Sequence, residues 1–111
     1  MAVTVTVDLR KDGNRFMAGT VTLDASNPTP VDLSAYMSRL NCGVAQVSGT
    51  GAPGDDPNLV TTNVTAASAL LDIYAWKHID TVSDPTLVAS TDNARVVDWF
   101  ALGVALPRKG S

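Results

Sequence analysis

The chain opens with a strict alternation of apolar and polar side chains, VTVTVDLR, which runs from Val3 to Arg10. Valine and threonine are β-branched and favour extended backbone, and a period of two sends successive side chains to opposite faces of a strand. This segment therefore predicts a half-buried β-strand with one apolar face and one polar face. The apolar positions are Val3, Val5, Val7 and Leu9.

A second strand is expected directly after the turn-forming sequence Asp12-Gly13-Asn14. A two-residue turn would put the apolar stripes of the two strands on opposite faces, whereas a three-residue turn puts them on the same face. Because a slip of one residue flips every side chain, we expect burial to override the usual preference of Asp-Gly for a two-residue turn. The three-residue turn would give Gly13 or Asn14 a positive φ. The predicted pairs are Leu9 with Met17, Val5 with Val21 and Val3 with Leu23.

A short helix is predicted in the segment 24–41, where Pro28 and Pro30 interrupt extended structure. Asp32 suits the N-cap position, and the apolar residues that follow recur at the spacing of one helix face. Such a helix would have about two turns and would lie over the open end of the sheet. The residues of its apolar face are Leu33, Tyr36, Met37 and Leu40.

Shorter strands are expected at GVAQV, LVTTNVT and TLVAS, separated by turn-forming residues. Short strands at close intervals, with one short helix, predict an all-β fold of the β-sandwich or jelly-roll type. At 111 residues the chain is expected to form one domain, residues 1–111. The loop 48–58 and the tail 107–111 are expected to be mobile.

Two later strands, LLDIYAWKH and RVVDWFALGVAL, carry apolar side chains on both faces. In a small sandwich each sheet buries one face and exposes the other, so these strands need a second cover. Aromatic side chains bury about 150–250 Å² each, which makes their exposure to water costly. We therefore expect a homo-oligomer that buries an aromatic interface, with the short helix or the long loop as alternative sources of part of the cover. The candidate interface residues are Tyr74, Trp76, Trp99 and Phe100.

Composition and charge exclude several classes of function. The net charge of −3 argues against binding to nucleic acid, because phosphate contacts need a concentrated lysine and arginine surface. No apolar run approaches the ~18 residues of a membrane span, and no signal peptide is evident, so we expect no membrane partner. Cys42 is the only cysteine, which suits a protein made in the reducing cytoplasm of a host cell.

The loop sequence GTGAPG, residues 49–54, matches the G-x-G-x-x-G pattern of dinucleotide-binding turns. A functional turn of this kind leads into a helix whose N-terminal amides bind the pyrophosphate. Here two carboxylates, Asp55 and Asp56, follow instead of a helix. These acids and Asn58 could offer oxygen ligands to Ca²⁺, but their spacing fits no defined calcium loop. We expect a flexible loop, no cofactor and no metal.

Catalytic patterns are also weak, so we expect no enzyme. His78 and Cys42 could form a nucleophilic pair, but no catalytic signature surrounds either residue. Asp80 could support His78 in a serine triad, yet the chain has no G-x-S-x-G sequence to supply the serine. Cys42 is interpreted as a small buried apolar residue, and His78 as a residue at a strand terminus or interface.

The order of these segments resembles the small head decoration, or cement, proteins of tailed phages. The resemblance runs through VTVTVDLR, GTVTLDASNPTP, DLSAYM, LLDIYAWK and ASTDNARVVDWFALG. It implies a β-sandwich subunit that forms trimers on the outer surface of the phage capsid and bridges neighbouring major capsid proteins. It implies a structural virion protein on the exterior of the capsid, without catalytic residues.

An alternative function is a carbohydrate- or receptor-binding module of a phage tail. Tyr74 and Trp76 alternate along one strand and would share one face, where aromatic rings could stack on sugars. This alternative requires both rings to be exposed beside polar neighbours. Packing at an interface or in the core is the competing explanation of the same two residues.

Overall fold

The computed structural model describes residues 3–49, 57, 59–79, 86–92 and 94–106, with residues 78, 79, 86 and 87 described only as backbone. The described residues form two antiparallel sheets packed together as a β-sandwich, which confirms the predicted fold class. The strands are β1 (Val3–Lys11), β2 (Asn14–Thr22), β3 (Thr29–Asp32), β4 (Met37–Val47), β5 (Leu59–Thr65), β6 (Leu70–Ile79), β7 (Thr86–Ala89) and β8 (Val96–Ala105).

Sheet A has the strand order β1-β2-β8-β4, and sheet B is built around β6. One edge of β6 pairs with β5, while β3 and β7 pair with the two ends of its other edge. Asn27 fills the gap between β3 and β7. Its side-chain amide donates to the carbonyl of Ala75 at 2.8 Å and accepts from the amide of Ala75 at 3.1 Å.

The core lies between the inner faces of the two sheets. Strand β8 contributes every second residue to this core, and β6 contributes the phase that contains Leu71, Ile73 and Ala75. Both assignments follow from the period of two in a strand. The buried cluster comprises Met17, Val21, Leu23, Val31, Leu33, Met37, Leu40, Ala69, Leu71, Ile73, Ala75, Val97, Trp99 and Ala101.

The predicted register of the first hairpin is wrong. The turn has two residues, Asp12 and Gly13, with φ values of 55° and 82°, and Leu9 lies opposite Phe16 rather than Met17. The positive φ expected at Gly13 is present. Both central residues have positive φ, as in the turn type that suits the twist of a hairpin and that Asp-Gly favours. Turn geometry therefore prevails over the burial pattern here.

A two-residue turn by itself would put the apolar stripes of β1 and β2 on opposite faces along their whole length. A bulge in β1 limits this effect to the part of the strand next to the turn. Val5 lies opposite Gly19 and Val7 lies opposite Ala18, so Thr6 is an extra residue on β1. An extra residue reverses the alternation of a strand. Val3 and Val5 therefore share the inner phase, opposite Val21 and Gly19, whereas Val7 and Leu9 share the outer phase.

Gly19 makes this bulge possible, since a Cβ atom at that position would lie 1.8 Å from the carbonyl oxygen of Thr4. The backbone of β1 thus crosses closely over a residue that has no side chain. Strand β1 is also exposed along its whole length, because it lies at the edge of sheet A. The expectation that it is half buried is wrong.

No helix occurs in the described residues, so the helix predicted from Asp32 is wrong. Asp32 does accept a hydrogen bond from the amide of Ser34 at 3.0 Å, as an N-cap would. The amides of Tyr36 and Met37 both donate to the carbonyl of Leu33, which makes a single turn. Strand β4 then begins at Met37, so the helix-like spacing of apolar residues combines one turn with a strand.

The other predicted strands are present. GVAQV forms the last part of β4, LVTTNVT is β5 at the edge of its sheet, and TLVA is β7. The segment 50–56, residue 58 and the tail 107–111 lie outside the described residues. Asp80 also lies outside the described residues. The prediction that the loop 48–58 and the tail 107–111 are mobile therefore stays a prediction.

Candidate interaction surface

The outer face of sheet A carries two adjacent rows of side chains that are almost entirely apolar. Each row crosses all four strands of the sheet, since its members are paired from β1 through β2 and β8 to β4. We call these eight residues the apolar face. The rows are Val7, Ala18, Phe100 and Val44, and beside them Leu9, Phe16, Leu102 and Cys42.

Most of the apolar face is open to solvent in the single chain. Leu9 is 61% exposed, Phe100 is 49% exposed, and Leu102 is 41% exposed. Phe16 and Phe100 form a tilted ring pair with centroids 6.0 Å apart, which gives the middle of the face a fixed shape. Two open depressions lie on it, one beside Leu9 and Leu102 and the other beside Phe100.

The apolar face is continuous across the whole of sheet A. Four strands at about 4.8 Å spacing make it about 19 Å wide, and its two rows with their margins extend it by about 13 Å along the strands. The resulting area of roughly 250 Å² is contiguous, unlike the singly scattered apolar side chains that are normal on a protein surface.

Charges of opposite sign border the apolar face at its two ends. At one end the row contains Lys11 and Arg39, which are paired through Asn14 and Val104. At the other end Asp98 lies between Thr20 and Gln46. Six residue steps of β8 separate Val104 from Asp98, or about 20 Å. No ion pair joins these three charged side chains to any other residue that the structure describes.

The four candidate interface residues do not lie together, which corrects the expectation of one aromatic interface. Trp99 is 1% exposed and belongs to the core, so it cannot contact another protein. Phe100 lies on the apolar face of sheet A. Tyr74 and Trp76 are half-buried on the outer face of sheet B. The period of two already separates Trp99 from Phe100, because consecutive residues of a strand point to opposite faces. The sheet to which each strand belongs depends on non-local pairing, which the sequence pattern does not specify.

The outer face of sheet B is more polar than that of sheet A. Tyr74 lies opposite Thr61, and Trp76 lies opposite Leu59. The indole Nε1 of Trp76 donates to the hydroxyl of Thr61 at 2.9 Å. Asn63 lies further along the same face, opposite Asp72. Both rings thus lie beside polar groups, but they are half-buried, whereas the carbohydrate-binding alternative requires them to be exposed.

A charged cluster at one end of the sandwich fixes the hairpin of β1 and β2. Arg15 contacts the Asp8 carboxylate through Nε at 2.8 Å and Nη2 at 2.6 Å, and Nη1 donates to the carbonyl of Tyr36 at 3.1 Å. The guanidinium also lies 5.1 Å from the centroid of the Tyr36 ring. Hydrogen bonding to Arg15 lowers the pKa of Asp8 below its usual value. This cluster is structural, because its groups are paired with one another.

Asp24 and Asp32 are held ionised by turns in a similar way. The hydroxyl of Ser26 donates to Asp24 and lowers the pKa of that carboxyl. The amide of Ser34 donates to Asp32 and lowers its pKa as well. A carboxyl group with a lowered pKa is a poor general base at neutral pH. Asp24 and Asp32 instead accept hydrogen bonds that stabilise their own turns.

The residues weighed for chemistry do not assemble into a site in the described part of the chain. Cys42 is exposed on the apolar face, which corrects its interpretation as a buried residue. The side chain of His78, together with Asp55, Asp56 and Asn58, lies outside the described residues. Among the residues that are described, no group of three potential metal ligands occurs.

Sequence reasoning named Phe100 as an interface residue but missed the contribution of β1 to the apolar face. Val7 and Leu9 were assigned to the core, because the three-residue turn would have turned them inward. The signal that could have found them was the Asp-Gly dipeptide, whose preference for a two-residue turn places Leu9 opposite Phe16.

No protein-family model, no curated protein and no solved structure matches this chain. Within the described residues there is no helical segment long and apolar enough to cross a bilayer.

Proposed function

We propose that this protein is a structural virion protein that decorates the exterior of a tailed-phage capsid as a homo-oligomer and stabilises the shell. The observation that carries the proposal is the apolar face, which remains uncovered although the chain already has a complete core between its sheets. A chain with this arrangement gains stability by associating.

The proposed partners are the major capsid protein and further copies of this chain. Decoration needs repeated surface contacts rather than an active site, and many weak contacts over a shell combine into strong attachment. An acidic net charge of −3 suits a protein outside the capsid, away from the packaged DNA. The segment resemblance to decoration proteins supports the same assignment and implies a trimer.

The proposal is tested by mixing the purified protein with undecorated heads built from the major capsid protein that is encoded with this chain. We expect the protein to sediment with the heads and to raise their melting temperature, because binding to the assembled state alone stabilises that state. Heads that melt at the same temperature with and without the protein, and that leave it in the supernatant, would show the proposal to be wrong.

The second candidate function is carbohydrate or receptor binding by a phage tail, favoured by Tyr74 and Trp76 beside Thr61 on sheet B. A glycan array probed with the wild-type protein tests it. A signal that disappears in Trp76→Ala would support this function, since stacking needs the indole. An array without signal would remove it.

A further inference from the structure

We propose that a second copy of this chain covers the apolar face, with the strands of the two copies antiparallel, to form a twofold dimer. This inference rests on the self-association in the proposed function, but it does not depend on capsid binding. It commits to the geometry of the contact and to the residues that set it.

The face supplies an apolar centre for such a contact, with charged rows at both of its ends. Two sheets pack face to face about 10 Å apart with their strands aligned within about 30°. The twofold axis lies between the two facing sheets, over the centre of the apolar face and perpendicular to the strands. It places β8 of each copy over β8 of the other. Phe100 of one copy then packs against Leu102 of the second copy, and the reciprocal contact occurs on the other side of the axis.

The charges at the ends of the face select the antiparallel orientation. If the axis ran along the strands, Arg39 and Lys11 would meet the same basic residues of the second copy, and like charges would repel. With the axis across the strands, the end that carries Arg39 meets the end that carries Asp98. Strands β4 and β8 are neighbours, so Asp98 of one copy lies beside Arg39 of the other.

A closed trimer contains no twofold axis, so this pairing predicts a different stoichiometry from the resemblance. The contact is isologous, which means that the same patch is used by both copies. A twofold dimer, or an assembly of such dimers, has an even number of subunits. Solution mass therefore separates the two expectations directly.

The first experiment measures mass by sedimentation equilibrium over a range of protein concentrations. We expect the wild type to be a dimer and Leu102→Lys to be a monomer, because the charge would be placed in the centre of the contact. Leu59→Lys is the matched control, since Leu59 is 43% exposed on sheet B and Leu102 is 41% exposed on sheet A. The control should remain a dimer. Circular dichroism verifies that both variants are folded.

The second experiment exchanges the charges and tests the orientation. Arg39→Asp alone and Asp98→Arg alone should each weaken dimerisation about tenfold, because each substitution places like charges together twice per dimer. The double variant restores opposite charges and should regain most of the wild-type affinity. Both residues lie on the solvent side of the sheet, so the single variants should still fold.

The outcomes separate this inference from the proposed function. A wild type that is a monomer or a trimer, or a double variant that is no tighter than the single ones, would overturn the twofold pairing. A dimer that fails to bind phage heads would leave the pairing intact and would overturn the decoration function. A dimer that shows charge-exchange rescue supports the pairing whatever the heads do.

Discussion

Two consecutive residues, Trp99 and Phe100, show how completely a strand separates the roles of its neighbours. Trp99 is 1% exposed, while Phe100 is 49% exposed. The indole Nε1 of Trp99 is buried and has no hydrogen-bond partner among the residues that the structure describes. The large ring of Trp99 belongs to the core cluster between the two sheets.

Alanine substitutions at these two positions should therefore affect different measurements. Trp99→Ala should lower the free energy of unfolding by about 3–5 kcal/mol, because it leaves a large cavity in the core. Phe100→Ala should lower it by about 1 kcal/mol or less in the isolated chain, since only an exposed ring pair is lost. Urea unfolding followed by circular dichroism at low protein concentration compares them. Equal losses would contradict the assignment of Phe100 to an open face.

Glycines 19 and 43 give a second comparison at the residue scale. A Cβ at position 19 would collide with the backbone of Thr4, whereas a Cβ at position 43 would meet the end of the Leu71 side chain at 2.7 Å. A side chain can move aside more easily than a paired strand. Gly19→Ala should therefore cost about 1–3 kcal/mol of unfolding free energy, and Gly43→Ala should cost less. Urea denaturation measures both, and the reverse order would mean that the bulge does not depend on Gly19.

At the scale of elements, most strands could be predicted, but the turns, the bulge and the sheet to which each strand belongs could not. Alternation identifies β1, β6 and β8, because successive side chains of a strand point to opposite faces. The bulge at Thr6 depends on a contact with Gly19, and the failed helix after Asp32 depends on β4 pairing with β8. These are non-local interactions that a single segment does not encode. For the same reason, Phe100 is the one residue of the apolar face that the sequence identified as an interface residue.

The ion pair between Asp8 and Arg15 joins the two strands of the first hairpin, and it makes stability depend on pH. Arg15 also donates to the carbonyl of Tyr36 in the turn before β4. Its hydrogen bonds lower the pKa of Asp8 in the folded state, so the stabilisation is present above the unfolded value and is lost as pH falls through the folded value. The unfolded value is about 3.9, so the loss begins below about pH 4.

Asp8→Asn should lower the unfolding free energy at neutral pH by less than about 1 kcal/mol, because the pair is partly exposed. The difference from the wild type should shrink as pH falls below about 4. Thermal unfolding at several pH values measures this. Asp12→Asn is the control, since Asp12 is exposed and forms no ion pair with a described residue. A difference that stays constant with pH would show that Asp8 does not act through its charge.

At the scale of the whole molecule, folding covers only the inner face of each sheet, and the outer face left open on sheet A is apolar. The second sheet covers the inner face of sheet A, and the outer face keeps its apolar rows in contact with water. The free energy of unfolding of a small domain is only a few kcal/mol. A partner that covers this face and binds only the folded chain would raise that free energy.

The only cysteine of the chain reports whether this face is covered. Cys42 lies on the apolar face, opposite Leu102, and it is exposed in the single chain. Its reaction with an aromatic disulfide reagent should be fast at low protein concentration and about tenfold slower once copies associate, if association buries the thiol. Leu102→Lys should react fast at every concentration. A rate that does not change with concentration in the wild type would mean that this face stays open.

The surplus residue Thr6 has a consequence for how the length of β1 can vary. Because Val5 and Val7 already lie opposite adjacent residues of β2, a chain that lacks Thr6 would keep the partner of every other β1 residue. Only the hydrogen bond from its hydroxyl to the carbonyl of Ala18 would be lost. Deletion of a residue between Asp8 and the turn would instead shift the register, so that Val7 moves from the outer face of the sheet to the inner face. The strand thus tolerates a codon deletion at one position and resists it at the positions that follow.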